Sequence, residues 1–185
     1  MIETTDARNG FALFDSNIGH CGIAWGEHGI VGVQLPEADR AASRARLVRR
    51  FPQLPEVTPP DVVQRAIDDV VALLAGEARN LSSITLDMRG VLEFEQRVYA
   101  VTRQIPPGET LTYGELAKAL NAPGAAQAVG QALGRNPFPL IVPCHRVVAA
   151  GGKLGGFTAN GGANTKRKIL SIEGARTTDQ LELFH

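Results

Sequence analysis

The chain has 185 residues, 44% of them hydrophobic and 21% charged, and its formal net charge is zero. These values are ordinary for a globular protein of one large domain or two small ones. Two cysteines, Cys21 and Cys144, are too few for a disulfide framework, and no apolar run is long enough to span a bilayer. Because the N-terminus also lacks the basic and apolar regions of a secretory signal, we expect a cytoplasmic protein.

Residues 1–88 have the pattern of a small α/β domain. Apolar side chains recur at helical spacing after Asp61, whereas Ile84, Leu86 and Met88 alternate as in a strand. The pattern predicts, in chain order, strands over 11–14, 22–25 and 30–35, an arginine-rich helix around 44–50, a proline-rich loop over 52–60, a helix over 61–76 and a strand over 84–88.

Residues 89–176 have a mostly helical pattern. A helix from Phe94 ends before a Pro-Pro-Gly sequence, and the Thr-x-x-Glu capping box at 112–115 then opens a short helix that runs through Leu120. A turn with Asn, Pro and Gly over 121–124 leads into a second helix over 125–135, which consists largely of Ala and Gly. Two short helices across a tight turn are typical of a helix-turn-helix.

The most informative segment is the hexapeptide Val142-Pro143-Cys144-His145-Arg146-Val147, which follows a predicted apolar strand over 138–142. A cysteine held behind a proline, with a histidine beside it, indicates a nucleophile, although a lone cysteine is more often a small buried apolar residue. Downstream, a glycine-rich loop over 151–162 is interpreted as a pocket wall, and a helix from Lys166 ends at Glu173-Gly174.

Charge is distributed unevenly along the chain. Residues 1–94 hold 9 Lys and Arg against 13 Asp and Glu, whereas residues 95–175 hold 9 against 4. The part that contains Cys144 is therefore basic, as expected of a surface that faces phosphates, although a charge imbalance of this size also occurs without a nucleic-acid partner.

Residues 86–174 resemble the catalytic domain of the O6-alkylguanine-DNA alkyltransferases. The resemblance implies an α/β RNase H-like N-terminal domain over 1–88, a mostly α domain with a winged-helix-like helix-turn-helix and the catalytic cysteine over 89–176, and a tail over 177–185. Residues 1–85 match only in size and pattern. The resemblance is carried by Ile105-Pro106-Pro107-Gly108, Thr112-Tyr113-Gly114, Ala128-Val129-Gly130, Asn136-Pro137, the hexapeptide around Cys144, Lys166 and Glu173-Gly174.

The resemblance implies a DNA repair protein that moves the alkyl group of O6-alkylguanine, and of O4-alkylthymine, irreversibly to Cys144. His145, oriented by Glu173, would be the base, Asn136 would hold the turn, and Tyr113 would donate a proton or hydrogen bond to the departing guanine. Because consecutive side chains of an extended segment point to opposite faces, we expect a water between thiol and imidazole. Each molecule would react once, as a monomer, without cofactor or metal.

The resemblance also implies binding through the minor groove of double-stranded DNA. The matching position for the family's base-replacing arginine is Gln127, which has neither the charge nor the reach of arginine. Arg135 is about 12 Å further along the same helix and is a poor substitute. The residues expected to contact DNA or the alkylated base are Tyr113, Ala126, Gln127, Gly130, Arg135, Pro139, Val147, Phe157 and Thr158.

Three alternatives remain at this point. A non-reactive sensor of alkylated bases is compatible with Gln127 but not with a retained Cys144, and a helix-turn-helix regulator would bind DNA without taking up a methyl group. A Cys-His hydrolase would need an oxyanion hole that the sequence does not reveal. A metal site at His20, Cys21 and His28 is not expected, because a fourth ligand is missing.

Overall fold

The structure is a computed structural model that describes residues 7–155 and 162–176. Phe157 and Thr158, expected to contact the substrate, and the tail over 177–185 lie outside these residues. Among the described residues, no helix is long and apolar enough to cross a membrane. The chain has a mixed α/β fold.

The first half is built on a three-stranded antiparallel sheet. The strands are β1 (Gly10–Ser16), β2 (Gly19–Gly26) and β3 (Gly29–Gln34), in that order across the sheet. Gly29, the first residue of β3 after the turn from β2, has φ +127°, and a Cβ there would lie 2.6 Å from the Thr85 carbonyl oxygen. The turn therefore requires glycine for both its backbone conformation and its close packing.

Two helices cover the sheet. In α1 (Arg40–Arg50), Asp39 caps the first turn and Leu47 is fully buried against Gly22 of β2, where a Cβ would lie 2.3 Å from the leucine side chain. In α2 (Asp61–Leu74), the apolar residues at helical spacing form the buried face, as the sequence predicts. These two helices supply much of the core in this half of the chain.

The predicted strand over 84–88 is wrong. Only Leu86 forms an isolated parallel bridge, to Ile30, with the Ile30 amide donating to Thr85 and the Asp87 amide donating to Ile30. The Asp87 side chain then accepts from the Arg89 amide and bends the chain into a turn. The alternation of apolar residues therefore reflects a half-buried loop that runs beside the first residues of β3.

The second half surrounds the cysteine with short helices. The elements are α3 (Glu93–Thr102), β4 (Leu111–Thr112), α4 (Tyr113–Ala119), α5 (Ala126–Gly134), a 3₁₀ turn (Cys144–Arg146), β5 (Val147–Val148), a second 3₁₀ turn (Ala150–Gly152) and α6 (Ala163–Ile172). The strands β4 and β5 pair in parallel, with Leu111 opposite Val147 and Thr112 opposite Val148. This pairing places the start of α4 beside the segment that follows the cysteine.

Two further expectations about local structure are wrong. Residues 138–142 form a turn instead of a strand, because Val142 donates to the Phe138 carbonyl and Leu140 adopts φ +75°. Cys144 and His145 lie in a 3₁₀ turn instead of an extended segment. The apolar composition of 138–142 is explained by burial, since Phe138, Leu140, Ile141 and Val142 are all inaccessible to solvent or nearly so.

Candidate active site

The backbone around Cys144 is fixed by two consecutive tight turns. Pro143 has φ −78° and ψ +65°, and the Cys144 amide donates to the Val142 carbonyl across it at 2.7 Å, which makes an inverse γ-turn. The Arg146 amide then donates to the Pro143 carbonyl at 2.9 Å and closes the 3₁₀ turn. The proline ring restricts φ in advance, so the position of the thiol needs little further ordering.

Asn136 supports this turn from the end of α5. Its amide group donates to the Val142 carbonyl at 3.0 Å, and its side-chain oxygen accepts from the Phe138 amide at 2.9 Å. The same side chain lowers the pKa of the Cys144 thiol through a hydrogen bond. The expected place of Asn136 beneath the turn is thus where the structure has it, and Asn136 also contacts the sulfur.

His145 and Glu173 are joined in a buried pair. His145 Nε2 lies 2.8 Å from Glu173 Oε1, and each side chain is 1% exposed. Glu173 follows the last residue of α6, so the end of that helix places the carboxylate behind the imidazole. The other ring nitrogen, His145 Nδ1, is buried and has no hydrogen-bond partner among the described residues.

Burial keeps the thiol and the imidazole uncharged. It raises the pKa of Cys144 above its ordinary value, against smaller lowering effects of Asn136 and of the Lys166 ammonium group. It also lowers the pKa of His145, and the hydrogen bond from His145 to Glu173 only partly offsets this lowering. Burial alone would raise the pKa of Glu173, but hydrogen bonds from His145 and Arg146 lower it to about 2. Near neutral pH the site therefore holds a thiol, a neutral imidazole and a carboxylate.

Lys166 and Tyr113 complete the surroundings of the sulfur. The Lys166 side chain is fully buried, and its Nζ donates to the Val147 carbonyl at 2.6 Å and lies 5.9 Å from the centre of the Tyr113 ring. Burial raises the pKa of Tyr113, and a negative charge on a Cys144 thiolate raises it further, so the Tyr113 hydroxyl remains protonated. A buried basic side chain and a hydroxyl donor thus lie close to each other and to Cys144.

An uncharged cleft lies between the start of α4 and α5. It has a volume of about 660 Å³. Gln127 is exposed, the Tyr113 ring lies beside Gly130, where a Cβ would be in ordinary contact with it at 3.8 Å, and Gln131 lies one turn beyond Gln127. Among the residues that the structure describes, no charged side chain lines this cleft; its lining residues are Thr112, Tyr113, Gly114, Ala126, Gln127, Gly130, Gln131, Ala149 and Ala150.

The remaining expected contact residues lie away from this cleft. Arg135 is exposed but its Nε is 2.6 Å from Glu95 Oε1, so its guanidinium is paired at the far end of α5. Pro139 is half-buried in the turn before the cysteine, and Val147 is fully buried in β5. The structure therefore brings Tyr113, Ala126, Gln127 and Gly130 together and leaves the other three outside the cleft.

Two residues near the cysteine had no predicted role. Lys166 was recognised only as part of a motif, and Arg146 only as the neighbour of His145. The structure places both as buried cations, and Arg146 donates two hydrogen bonds to Glu173. For Arg146 the available signal is a basic residue followed by an apolar stretch, because such a residue is almost never buried unless it is paired.

The side chains considered for a metal are not arranged to bind one. His20 Nδ1 pairs with Asp15 Oδ1 at 2.6 Å, and Cys21 is fully buried, which raises the pKa of its thiol to about 11. Within residues 7–155 and 162–176, no group of three or more His, Cys, Asp and Glu side chains is placed to hold a metal ion.

Comparisons with known proteins give a consistent result. Residues 93–175 match the family described as 6-O-methylguanine DNA methyltransferase, DNA binding domain. The chain is 47% identical over 125 residues to a methylated-DNA–protein-cysteine methyltransferase of Mycobacterium bovis, covering 68% of this chain and 73% of that protein. It is 35% identical over 167 residues to the protein of the same name from Methanosarcina acetivorans, covering 89% and 98%.

Solved structures extend the likeness to the whole fold. The O6-methylguanine methyltransferase of Mycobacterium tuberculosis is 39% identical, with a TM-score of 0.70, and the match covers 96% of this chain and 99% of that chain. A structure of the same organism's protein in complex with DNA is 38% identical, with a TM-score of 0.70 and coverage of 95% and 99%.

Proposed function

The chain belongs to the methylated-DNA–protein-cysteine methyltransferases, and we propose that Cys144 is the residue that receives the alkyl group. The protein is thus a DNA repair enzyme that transfers an alkyl group to one of its own cysteines. The observation that supports Cys144 is its place beside His145, Asn136 and Lys166 in a preset turn. The other cysteine, Cys21, is fully buried in β2.

The proposed reaction is one displacement at carbon. The Cys144 sulfur forms a bond to the alkyl carbon of O6-alkylguanine, or of O4-alkylthymine, while the bond between that carbon and the base oxygen breaks. The electron pair of the broken bond leaves with the base. His145 takes the thiol proton, directly or through a water, and this proton is finally returned to the base, so that charge and atoms balance.

Tyr113 and Lys166 act on the leaving side of the reaction. The Tyr113 hydroxyl donates a hydrogen bond to the departing guanine, and the buried Lys166 ammonium stabilises negative charge in the same region. The product is a thioether. Removing the alkyl group again would require a nucleophile that attacks the alkyl carbon and displaces the Cys144 sulfur. None of the described side chains nearby is placed to do this, so each protein molecule reacts once.

The alkylated base reaches Cys144 by leaving the DNA stack. We propose that α4 and α5 act as a helix-turn-helix, with α5 in the minor groove and the cleft beside Tyr113 admitting the flipped base. Flipping costs a few kcal/mol, which the protein must offset by contacts in the vacated stack. Gln127 occupies the start of α5, where it can donate hydrogen bonds to the unpaired partner base but adds no charge.

The uncharged cleft suggests that base extrusion or DNA affinity is weaker here than with arginine at position 127. Arg135 does not replace the missing cation, since its guanidinium is paired with Glu95. We also propose that residues 1–88 form an RNase H-like domain and 89–176 the DNA-binding and catalytic domain, and that the protein acts as a monomer in the cytoplasm.

Intact-mass measurement with peptide mapping tests the assignment of Cys144. The purified protein is mixed with duplex DNA that contains one O6-methylguanine, and Cys144→Ala and Cys21→Ala are treated in parallel. We expect one methyl group per molecule on the Cys144 peptide, lost in Cys144→Ala and retained in Cys21→Ala. Selective binding to the lesion without a mass change would instead favour a non-reactive sensor, and sequence-specific binding without methyl uptake would favour a regulator.

A further inference from the structure

The buried pair of His145 and Glu173 has a third member that does not touch the thiol. Arg146 Nε donates to Glu173 Oε2 at 3.0 Å, and its Nη2 donates to Glu173 Oε1 at 2.8 Å. The remaining nitrogen, Nη1, donates to the Ile105 carbonyl at 2.6 Å. All three nitrogens of the guanidinium are therefore used, and the side chain is 6% exposed.

This arrangement decides where the proton of His145 resides. A guanidinium can only donate, so both oxygens of Glu173 must accept and the carboxylate carries no proton. His145 Nε2, 2.8 Å from Oε1, must then be the donor of its own hydrogen bond. In the neutral imidazole the other nitrogen, Nδ1, is left with a lone pair. His145 Nδ1 is the ring nitrogen that is buried and has no hydrogen-bond partner in the described part of the chain.

We propose that Arg146 is a positioning residue for alkyl transfer, which holds Glu173 as a two-fold acceptor and so fixes His145 in the tautomer that presents Nδ1 as the proton acceptor for Cys144. The proposal rests on the proposed function of Cys144. Arg146 also ties this network to the end of α3 through Ile105. Two elements that are distant in sequence thus hold one imidazole.

The charges around His145 give Arg146 a second effect. Besides burial, the charged groups that act on the imidazole are Glu173, Arg146 and Lys166. Glu173 raises the pKa of His145, whereas Arg146 and Lys166 lower it. Removing the Arg146 charge removes one of the three effects that lower the pKa of His145, and leaves burial and Lys166 to oppose Glu173. The pKa of His145 then rises, and the imidazole loses its free base form at a higher pH.

The test combines a rate profile with nitrogen NMR on the full-length protein. Single-turnover methyl transfer from O6-methylguanine duplex DNA is followed against pH for the wild type and for Arg146→Gln. We expect the rate to fall by about 10- to 100-fold, the loss that is typical when an outer-shell partner of a metal-binding histidine is removed. We also expect the acidic limb of the profile to move to higher pH by about one unit. ¹⁵N shifts of His145 should report a single Nε2–H tautomer in the wild type and a mixture in the variant.

Arg103→Gln is the matched control, because Arg103 is a half-buried arginine whose hydrogen bonds within the described residues go to the backbone carbonyls of Leu81 and Ile84 and not to a carboxylate. It should leave the acidic limb and the His145 tautomer unchanged. Arg146→Lys keeps the charge without the two-fold geometry and should lose rate and tautomer order while the limb moves less.

Unchanged tautomer and limb in a folded Arg146→Gln would overturn the proposal, even if the rate fell. Failure of both Arg146 variants to fold would assign Arg146 a purely structural role and would also overturn it. Absence of methyl transfer by the wild type would contradict the proposed function instead. The NMR comparison would still decide whether Arg146 fixes the tautomer of His145.

Discussion

Placing arginine at position 127 should speed the repair reaction. Gln127 is exposed near the start of α5, and no acidic side chain within residues 7–155 and 162–176 lines the cleft beside it to hold a new guanidinium away from DNA. A hydrogen bond from a charged donor contributes about 1.5–3 kcal/mol, against about 0.5–1.5 kcal/mol for a neutral amide. After the cost of ordering the longer side chain, we expect a net gain of about 1 kcal/mol for the extruded state, or about fivefold in rate.

The assay is single-turnover methyl transfer at saturating duplex DNA, together with equilibrium binding at several salt concentrations. The added cation should make the slope of log K against log salt more negative by about 0.9. It should also lower the free energy of unfolding slightly, by about 0.3–1 kcal/mol, because a cation at a helix N-terminus opposes the helix dipole.

Gln131→Arg separates charge from position. Gln131 is exposed on the same face of α5 and lines the same cleft, one turn further along. We expect this variant to show the steeper salt dependence without the faster transfer at saturation. An equal rate gain in both variants would mean that general DNA affinity, not occupation of the vacated stack, limits the reaction. An unchanged or lower rate in Gln127→Arg would refute the reasoning altogether.

Three other substitutions test how the site is held. Asn136→Ala removes two hydrogen bonds, to Val142 and from Phe138, and should lower the free energy of unfolding by about 2 kcal/mol in urea denaturation, whereas the exposed Asn164→Ala should not. Thr112→Ala breaks the capping box with Glu115 and should cost about 1 kcal/mol in the same measurement. Tyr113→Phe keeps the ring and loses the donor, so the transfer rate should fall about tenfold with little change in stability; an unchanged rate would remove Tyr113 from the chemistry.

The sequence predicts the helices and the sheet of this protein well, because their signals are local. The capping box at Thr112 and Glu115 is confirmed, and the apolar periodicity of α2 gives its buried face. Besides the extended conformation expected at Cys144 and His145, the errors fall on 84–88 and 138–142, where apolar residues suggest strands. Both segments are buried or half-buried turns, and burial alone produces an apolar pattern without any strand pairing.

The partners of the active-site residues were harder to predict than the residues themselves. His145 and Glu173 were paired in advance only through a family resemblance, since they lie 28 positions apart. Arg146 belongs to the hexapeptide that carries the resemblance, but the resemblance predicts no partner for it. Its bonds reach Glu173 at the end of α6 and Ile105 beyond α3, and neither contact has a periodicity or a motif of its own. Long-range side-chain pairing of this kind depends on tertiary packing, which a single sequence does not display.

The electrostatics of the site make its reactivity depend on the substrate. An exposed thiolate would react with any electrophile, but here burial raises the pKa of Cys144 and lowers that of His145, so both are neutral near pH 7. Moving the proton from sulfur to imidazole creates two opposite charges, and fixed partners already face each of them. Glu173 is placed beside the imidazolium, and Lys166 and Asn136 beside the thiolate. These partners stabilise the charge separation, and an alkylated base, when one is present, consumes the thiolate. Such an arrangement suits a protein that reacts only once.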